Sequence, residues 1–263
     1  MQNGPLRVGF LGFGTIAKRV QQLLAEHAPG EVDIVGAIVA DPSKPRPEGT
    51  PRIVASLDEL LALHPELIVE VGGHDALHAY GAKVLCAGVD LLMVSVGAFG
   101  RPRLLEEIQA AAKEGHARAR VASGAIGALD AISSAAIGGL TRVTHTTRKP
   151  PRSLFSPEEA AKVSEVVEVY RGPAREAALK FPENVNVCAA VSLAGVGLDR
   201  TEMRIVADPG VERNQHEVVA EGDFGYLKFE IQNIPTEKPA TGRLVAMSVC
   251  KEILARRATF AVG

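Results

Sequence analysis

The chain has 263 residues, 46% of them hydrophobic and only 4% aromatic, with a formal net charge of −2 at pH 7. That is enough apolar material for one large core or two modest ones, and the charge is too balanced to give the field that nucleic acid or an anionic membrane demands. No uninterrupted apolar span is long enough to cross a bilayer and too few residues precede the first strand to hold a secretory signal, so the cytoplasm is the expected setting.

In chain order, the first signal is the apolar run that breaks at Gly12-Phe13-Gly14-Thr15-Ile16-Ala17 and passes at once into a helical pattern with Ile16, Val20, Leu23 and Leu24 on one face. A strand, a G-x-G-x-x-A turn and a helix in that order are the start of a dinucleotide-binding unit. Gly12 permits the tight turn, Gly14 leaves room for a pyrophosphate against the backbone, and the small Ala17 lets helix and strand pack closely. Free amides and the helix dipole then favour negative charge at the helix start. A second buried strand runs from Val32 to Ala40, and Asp41 stands at its carboxyl end, where a carboxylate can accept hydrogen bonds from the ribose hydroxyls of NAD. Lys44 and Arg46 follow directly and could meet a 2′-phosphate, so both NAD and NADP stay open as the cofactor.

Residues 42–52 hold four prolines and read as a loop. A short strand is expected at Ile53-Val54. Ser56 is expected to cap a helix through Leu57, Leu60, Leu61 and Leu63, with Glu59 completing a capping box. Then come a strand from Leu67 to Val71 closed by Gly72-Gly73, a helix from Asp75 to Ala87 with Gly88 as its C-cap, and a strand from Asp90 to Val96 ended by Gly97. An amphipathic helix from Pro102 to Gly115 and a short strand from Arg118 to Ala122 complete the alternation, followed by a Ser123-Gly124-Ala125-Ile126-Gly127 turn and a small-residue helix reaching Gly138-Gly139. Alternating strands and helices specify a Rossmann-type, doubly wound parallel sheet with its ligand crevice at the carboxyl ends of the strands.

The pattern then changes. Strand candidates at Leu140–Thr147, Glu165–Tyr170, Glu202–Ala207, His216–Glu221 and Phe224–Gln232, with helical Arg175–Lys180 and an apolar stretch from Val187 to Leu198, suggest a second α+β domain. Its sheet is expected to be mostly antiparallel, with helices on one side, and can carry the interface of a homodimer. A last helix, Gly242 to Arg257, with Leu244, Val245, Ser248, Val249, Ile253 and Leu254 on its apolar side, is expected to return to the first domain. The expected division is thus a dinucleotide-binding domain over residues 1–122 joined by 242–263, and a catalytic, substrate and oligomerisation domain over 123–241.

For chemistry, a nicotinamide needs a group that manages a proton, and His216 is the strongest candidate in the second domain. It lies in Arg213-Asn214-Gln215-His216-Glu217, at a turn-to-strand junction. The bland alternative is a surface histidine beside Glu217, and His145, inside a strand, is expected to be structural. His74 and His78 have the i, i+4 spacing of a metal pair but lack a third ligand and the usual Glu, so His74 is read as a loop cap, His78 as solvated and no metal is expected. Arg148, Lys149, Arg213 and Lys238 are candidates for substrate carboxylates, with solvated surface charge as the alternative. Cys86, Cys188 and Cys250 include no C-x-x-C pair and are expected as buried, reduced thiols.

Together, Gly9 to Ala17, Ser95-Val96-Gly97-Ala98, Ser123 to Gly127, Lys149-Pro150-Pro151, Phe181-Pro182-Glu183-Asn184-Val185-Asn186-Val187, Asp208-Pro209 and Arg213 to Glu217 resemble the L-aspartate dehydrogenase family over nearly the full chain. The resemblance implies oxidation of L-aspartate to iminoaspartate with NAD or NADP; the product hydrolyses to oxaloacetate and ammonia or feeds quinolinate and NAD synthesis. It maps the catalytic histidine onto His216 and cofactor contacts outside the glycine turn onto Ala125 and Asn186, with Asn184 as the rival. One segment departs from the family pattern: Lys238-Pro239-Ala240-Thr241-Gly242 stands where family members often carry an Asn-Pro-Lys-Thr-Ser-like segment, so the resemblance does not carry the family's lysine onto this chain. Two other readings remain: a related two-domain reductase acting on dihydrodipicolinate or homoserine, and a non-catalytic dinucleotide sensor.

Overall fold

The structure, a computed structural model, describes residues 4–182, 185–234 and 242–260. It divides into two compact units, one of residues 1–98, 102–124 and 245–263, the other of residues 99–101 and 125–244.

The first unit follows directly from the strand and helix alternation. Its strands are β1 (Leu6–Leu11), β2 (Val32–Ile38), β3 (Ile53–Val54), β4 (Leu67–Glu70), β5 (Asp90–Met93) and β6 (Ala119–Val121), all parallel in the order β3-β2-β1-β4-β5-β6. The helices are α1 (Thr15–His27), α2 (Leu57–Leu61), α3 (His74–Cys86) and α4 (Leu104–Glu114). Strand order reverses between β1 and β4, so a crevice opens where these two strands leave the sheet. On α1 the buried residues are Ala17, Val20, Leu23 and Leu24, with Ile16 only half-buried, because the close helix–strand approach that Ala17 permits puts that residue at the contact.

Three local expectations change. The fourth main strand stops at Met93, and a 3-10 helix occupies Val96–Gly100. Helix α2 ends at Leu61, leaving Leu63 outside it, and its cap is asymmetric: Ser56 accepts from Glu59 N–H, while the Glu59 carboxylate accepts from Ala55 N–H at 3.1 Å. Cys86 is exposed beside Glu114, unlike the buried Cys188 and Cys250.

The C-terminal helix α9 (Leu244–Ala255) is held in the first unit by specific pairs. Arg120 meets Glu252 at 3.0 Å, Arg256 meets Asp90 at 2.6 Å, and Ser248 Oγ accepts from Gly124 N–H at 3.0 Å. Val245, Val249 and Ile253 are buried on its apolar side.

The second unit contains α5 (Leu129–Gly138), β7 (Leu140–Lys149), α6 (Pro157–Ala160), β8 (Val167–Pro173), α7 (Ala174–Lys180), α8 (Asn186–Ala194), β9 (Glu202–Ala207), β10 (Gln215–Gly222) and β11 (Gly225–Gln232). Its sheet has the order β11-β10-β7-β9-β8, antiparallel throughout except for the parallel β7–β9 pair. Strand β10 alternates as a sheet with one covered face should: His216, Val218 and Ala220 point inward. There Val218 and Ala220 meet Ile132 and Ala135 of α5 and Val191 of α8. Strand β7 does not alternate, since Val143 to Thr147 are all buried. It is the central strand, and its outer-face Thr144 and Thr146 lie in register with Val219, Glu202, Glu217 and Arg204, whose longer side chains shade them. Helix α6, four residues under a complete Ser156–Glu159 capping box, has no counterpart in the sequence expectations.

Candidate active site

In the first unit the candidate cofactor residues converge by backbone geometry. Gly12 has φ +91, and a Cβ there would collide with the Gly72 backbone, 2.6 Å from its nitrogen. Gly12 N–H donates to Ile38 O at 2.8 Å and Val71 N–H to Leu11 O at 2.9 Å, so the ends of β2, β1 and β4 are tied at one place. Gly14, the N-cap of α1, has open space where a Cβ would stand. The first turn of α1 carries no acid and Gly14 supplies no capping side chain, so the helix start keeps its positive end for an anion. Phe13 is buried edge-on against Phe10 at 5.9 Å and fixes the turn from below, while Thr15 and Ile16 are half-buried. The turn therefore fits a pyrophosphate: strained where only glycine is tolerated, open where the ligand would approach.

Asp41 lies three residues past the end of β2, in the loop. Its Oδ1 accepts from Ser43 N–H at 3.0 Å and Ser43 Oγ–H at 2.6 Å, which holds the carboxyl below the usual range, and Oδ2 is 3.9 Å from Lys44 Nζ. Arg46 is folded onto the carbonyls of Asp41, Pro42 and Lys44.

A residue outside the sequence candidates organises the neighbouring loops. Glu70, fully buried at the end of β4, accepts from Gly72 N–H, Gly73 N–H, Ser95 N–H and Ser95 Oγ–H, each at 2.9 Å. Burial pushes its carboxyl pKa up and the Ser95 and glycine donors oppose that. The only trace in sequence was an acid closing an apolar strand.

In the second unit His216 is neither at the surface nor beside Glu217. Glu217 points to the other face and pairs with Lys228 at 2.8 Å, whereas His216 is 8% exposed on the helix-covered face. Its Nδ1 lies 3.2 Å from Nε2 of the fully buried His145, the two rings nearly parallel at 16°. Burial first, and the Lys149 charge second, bring the His216 pKa down to about 4; burial, His216 and Lys149 hold His145 well below its ordinary value. Both imidazoles are thus neutral near pH 7, and with Nδ1 engaged, Nε2 is the His216 nitrogen left for other chemistry.

Of the basic candidates, Lys149 is buried on the same face as the imidazoles. Arg148 faces the other way and pairs with Asp208 at 2.7 Å, and Arg213 is exposed. Ala125 is half-buried, its carbonyl accepting from Asn233 Nδ2 at 3.0 Å, and Asn186 opens α8. Asn184 and the segment Lys238 to Thr241 lie outside the described residues. His74 is the first residue of α3, with Gly73 as the cap, and His78 is half-buried rather than solvated. Among the described residues no three His, Cys, Asp or Glu side chains form a metal-binding group, and no helix is long and apolar enough to cross a membrane.

Two family models match the chain. Residues 12–122 match the NAD-binding domain model of homoserine dehydrogenase, and residues 130–256 match the C-terminal domain model of aspartate dehydrogenase. The L-aspartate dehydrogenase of Ruegeria pomeroyi is 40% identical over 96% of this chain and 93% of its own length. The chain belongs to the L-aspartate dehydrogenase family. A second family member, from Ralstonia nicotianae, is 38% identical over 94% of this chain and 96% of its own. The crystal structure of the Thermotoga maritima aspartate dehydrogenase superimposes with a TM-score of 0.82 at 26% identity, covering 98% of this chain and 99% of that one. Family membership makes the chain an oxidoreductase that uses NAD or NADP.

Proposed function

We propose that this enzyme oxidises L-aspartate to iminoaspartate with NAD or NADP, the product hydrolysing to oxaloacetate and ammonia or passing to quinolinate synthesis. The observation that carries the reading is a neutral, buried imidazole, His216, beside a buried cation, Lys149, on one face of the second sheet in a chain of this family.

The amides of Gly12, Phe13, Gly14, Thr15 and Ile16 hold the cofactor pyrophosphate, Asp41 the ribose, and Ala125 and Asn186 make further cofactor contacts. A bound nicotinamide supplies the two-electron acceptor for the hydrogen on the substrate α-carbon. Lys149 takes a substrate carboxylate, for which an ammonium buried next to the proton-handling group is suited in charge and place. His216 Nε2 takes the proton that the substrate ammonium loses as it becomes an imine, and returns it in the reverse direction. Because Lys149 is part of what depresses His216, neutralising it with a carboxylate raises the basicity of His216 when substrate is present.

The enzyme acts as a homodimer, with the face of the second sheet opposite α5 and α8 as the contact. That face carries Arg204–Glu168 at 2.6 Å and Lys228–Glu217 at 2.8 Å, charges of both signs that a second copy can complement. Sedimentation of the purified protein as a monomer would overturn this part.

Initial rates with L-aspartate, and with oxaloacetate plus ammonia, each with both cofactors and followed by reduced-nicotinamide absorbance, test the reading. Turnover of aspartate with little on homoserine or dihydrodipicolinate is expected. Faster turnover of either of those, or NADH binding with no turnover at all, refutes it.

A further inference from the structure

We infer that His145 is a positioning residue for His216, its Nε2 engaging His216 Nδ1 and so leaving Nε2 as the reactive nitrogen of His216. The inference rests on the role proposed for His216.

The strand register makes the contact. Thr147 of β7 is directly opposite His216 of β10, and His145, two residues earlier on the same face, is its diagonal neighbour. Both side chains are buried, so neither ring exchanges its partner for water at low cost.

An N–H···N contact needs one donor and one acceptor. When His216 takes a proton at Nε2 it becomes an imidazolium whose Nδ1–H must donate, and the His145 Nε2 lone pair stands 3.2 Å away to accept. Among the described residues, the charge acting on this pair is the Lys149 cation, which disfavours a second positive charge. On β9 and β11 the residues in register are the uncharged Met203 and Ile231. From the helices packed on this face, Asp130 of α5 is exposed, and Cys188 of α8 is a thiol whose pKa burial pushes up to about 12. Among the described residues, the group that faces the Nδ1–H of the His216 imidazolium is therefore the neutral acceptor on His145.

His145→Leu removes the acceptor and keeps an apolar filling. Its kcat is expected to fall tenfold or more with KM within about twofold, and the acidic limb of its kcat/KM profile to move down by about one pH unit, the scale of a hydrogen bond to a charged group. His145→Gln, whose amide oxygen reaches the place of the lost nitrogen, should restore most of both. Nitrogen-15 correlation spectra of the wild-type imidazoles should show His216 Nδ1 and His145 Nε2 sharing one proton, a readout that needs neither turnover nor a folded variant. Two independently titrating rings in those spectra, or a His145→Leu enzyme whose acidic limb is unmoved while His216→Asn is inactive, overturns the inference and leaves the role of His216 intact. Wild-type turnover in His216→Asn refutes the role of His216 and this inference with it.

Discussion

The two glycines of the first turn separate what the fold needs from what the ligand needs. At Gly12 an alanine meets two obstacles: φ +91, which costs an L side chain about 1–2 kcal/mol, and the Gly72 backbone, whose nitrogen would sit 2.6 Å from the new Cβ. Neither backbone can give way without disturbing the amides held by Glu70, so Gly12→Ala should lose about 3 kcal/mol or more, lowering the melting temperature by about 6–12 °C in a chain of this size. Gly14 is the opposite case. It has φ −94 and no atom within 4 Å of an added methyl group, so Gly14→Ala should stay within about 1 kcal/mol of wild type, a poorer N-cap being offset by a less flexible unfolded chain. Yet the methyl fills the space a pyrophosphate would occupy, and NADH affinity should fall by about tenfold or more. Calorimetric melting together with NADH fluorescence titration of both variants decides the matter. A Gly14→Ala protein that binds NADH as wild type does would refute the placement of the pyrophosphate; a Gly12→Ala protein that melts normally would refute the steric account of the turn.

Asp41→Ala should weaken NAD by roughly tenfold, the loss of a hydrogen bond to a charged acceptor, and weaken NADP less, since its 2′-phosphate gains from losing a carboxylate; equal losses in binding titrations would exclude a ribose contact. Glu70→Ala leaves three amides and the Ser95 hydroxyl without their acceptor. At about 1–3 kcal/mol each, not fully additive, the melting temperature should drop by more than about 10 °C, and a drop under about 2 °C would contradict the bracing role. Acid should destabilise the fold through His216: the unfolded chain takes up its proton near pH 6.5 and the folded chain only near 4, so stability present above pH 6.5 is lost as pH falls through that window, by about 3 kcal/mol. Urea midpoints measured from pH 7 to 4 should fall more steeply for wild type than for His216→Asn, and parallel curves would sink the argument.

Much of this architecture could be read along the chain because it is local. The break from the β1 apolar run to Gly12 and Gly14, then to the spacing of Val20, Leu23 and Leu24, depends on residues within one turn of each other, and the parallel sheet follows from repeating that unit. Where the fold departs from the local pattern, distant neighbours decide. Val94 to Gly100 leaves the sheet for a 3-10 turn as the Ser95 amide goes to Glu70, 25 residues away. Strand β7 loses its alternation because it is central, a position set by β9 and β10.

The amino-acid sequence by itself determined the doubly wound first sheet, the second sheet with its helices, and a short set of side chains able to meet a dinucleotide or move a proton, since periodicity, turn chemistry and residue type all act over a few bonds. Only the tertiary structure decided that His145, expected to be structural, stands against His216, that Lys149 rather than Arg148 shares their buried face, and that Glu70 braces the loops beside the glycine turn. The reason is strand register: which residues of β7 and β10 face one another is fixed by pairing across 71 residues of chain, and a shift of one position would send His145 to the opposite face.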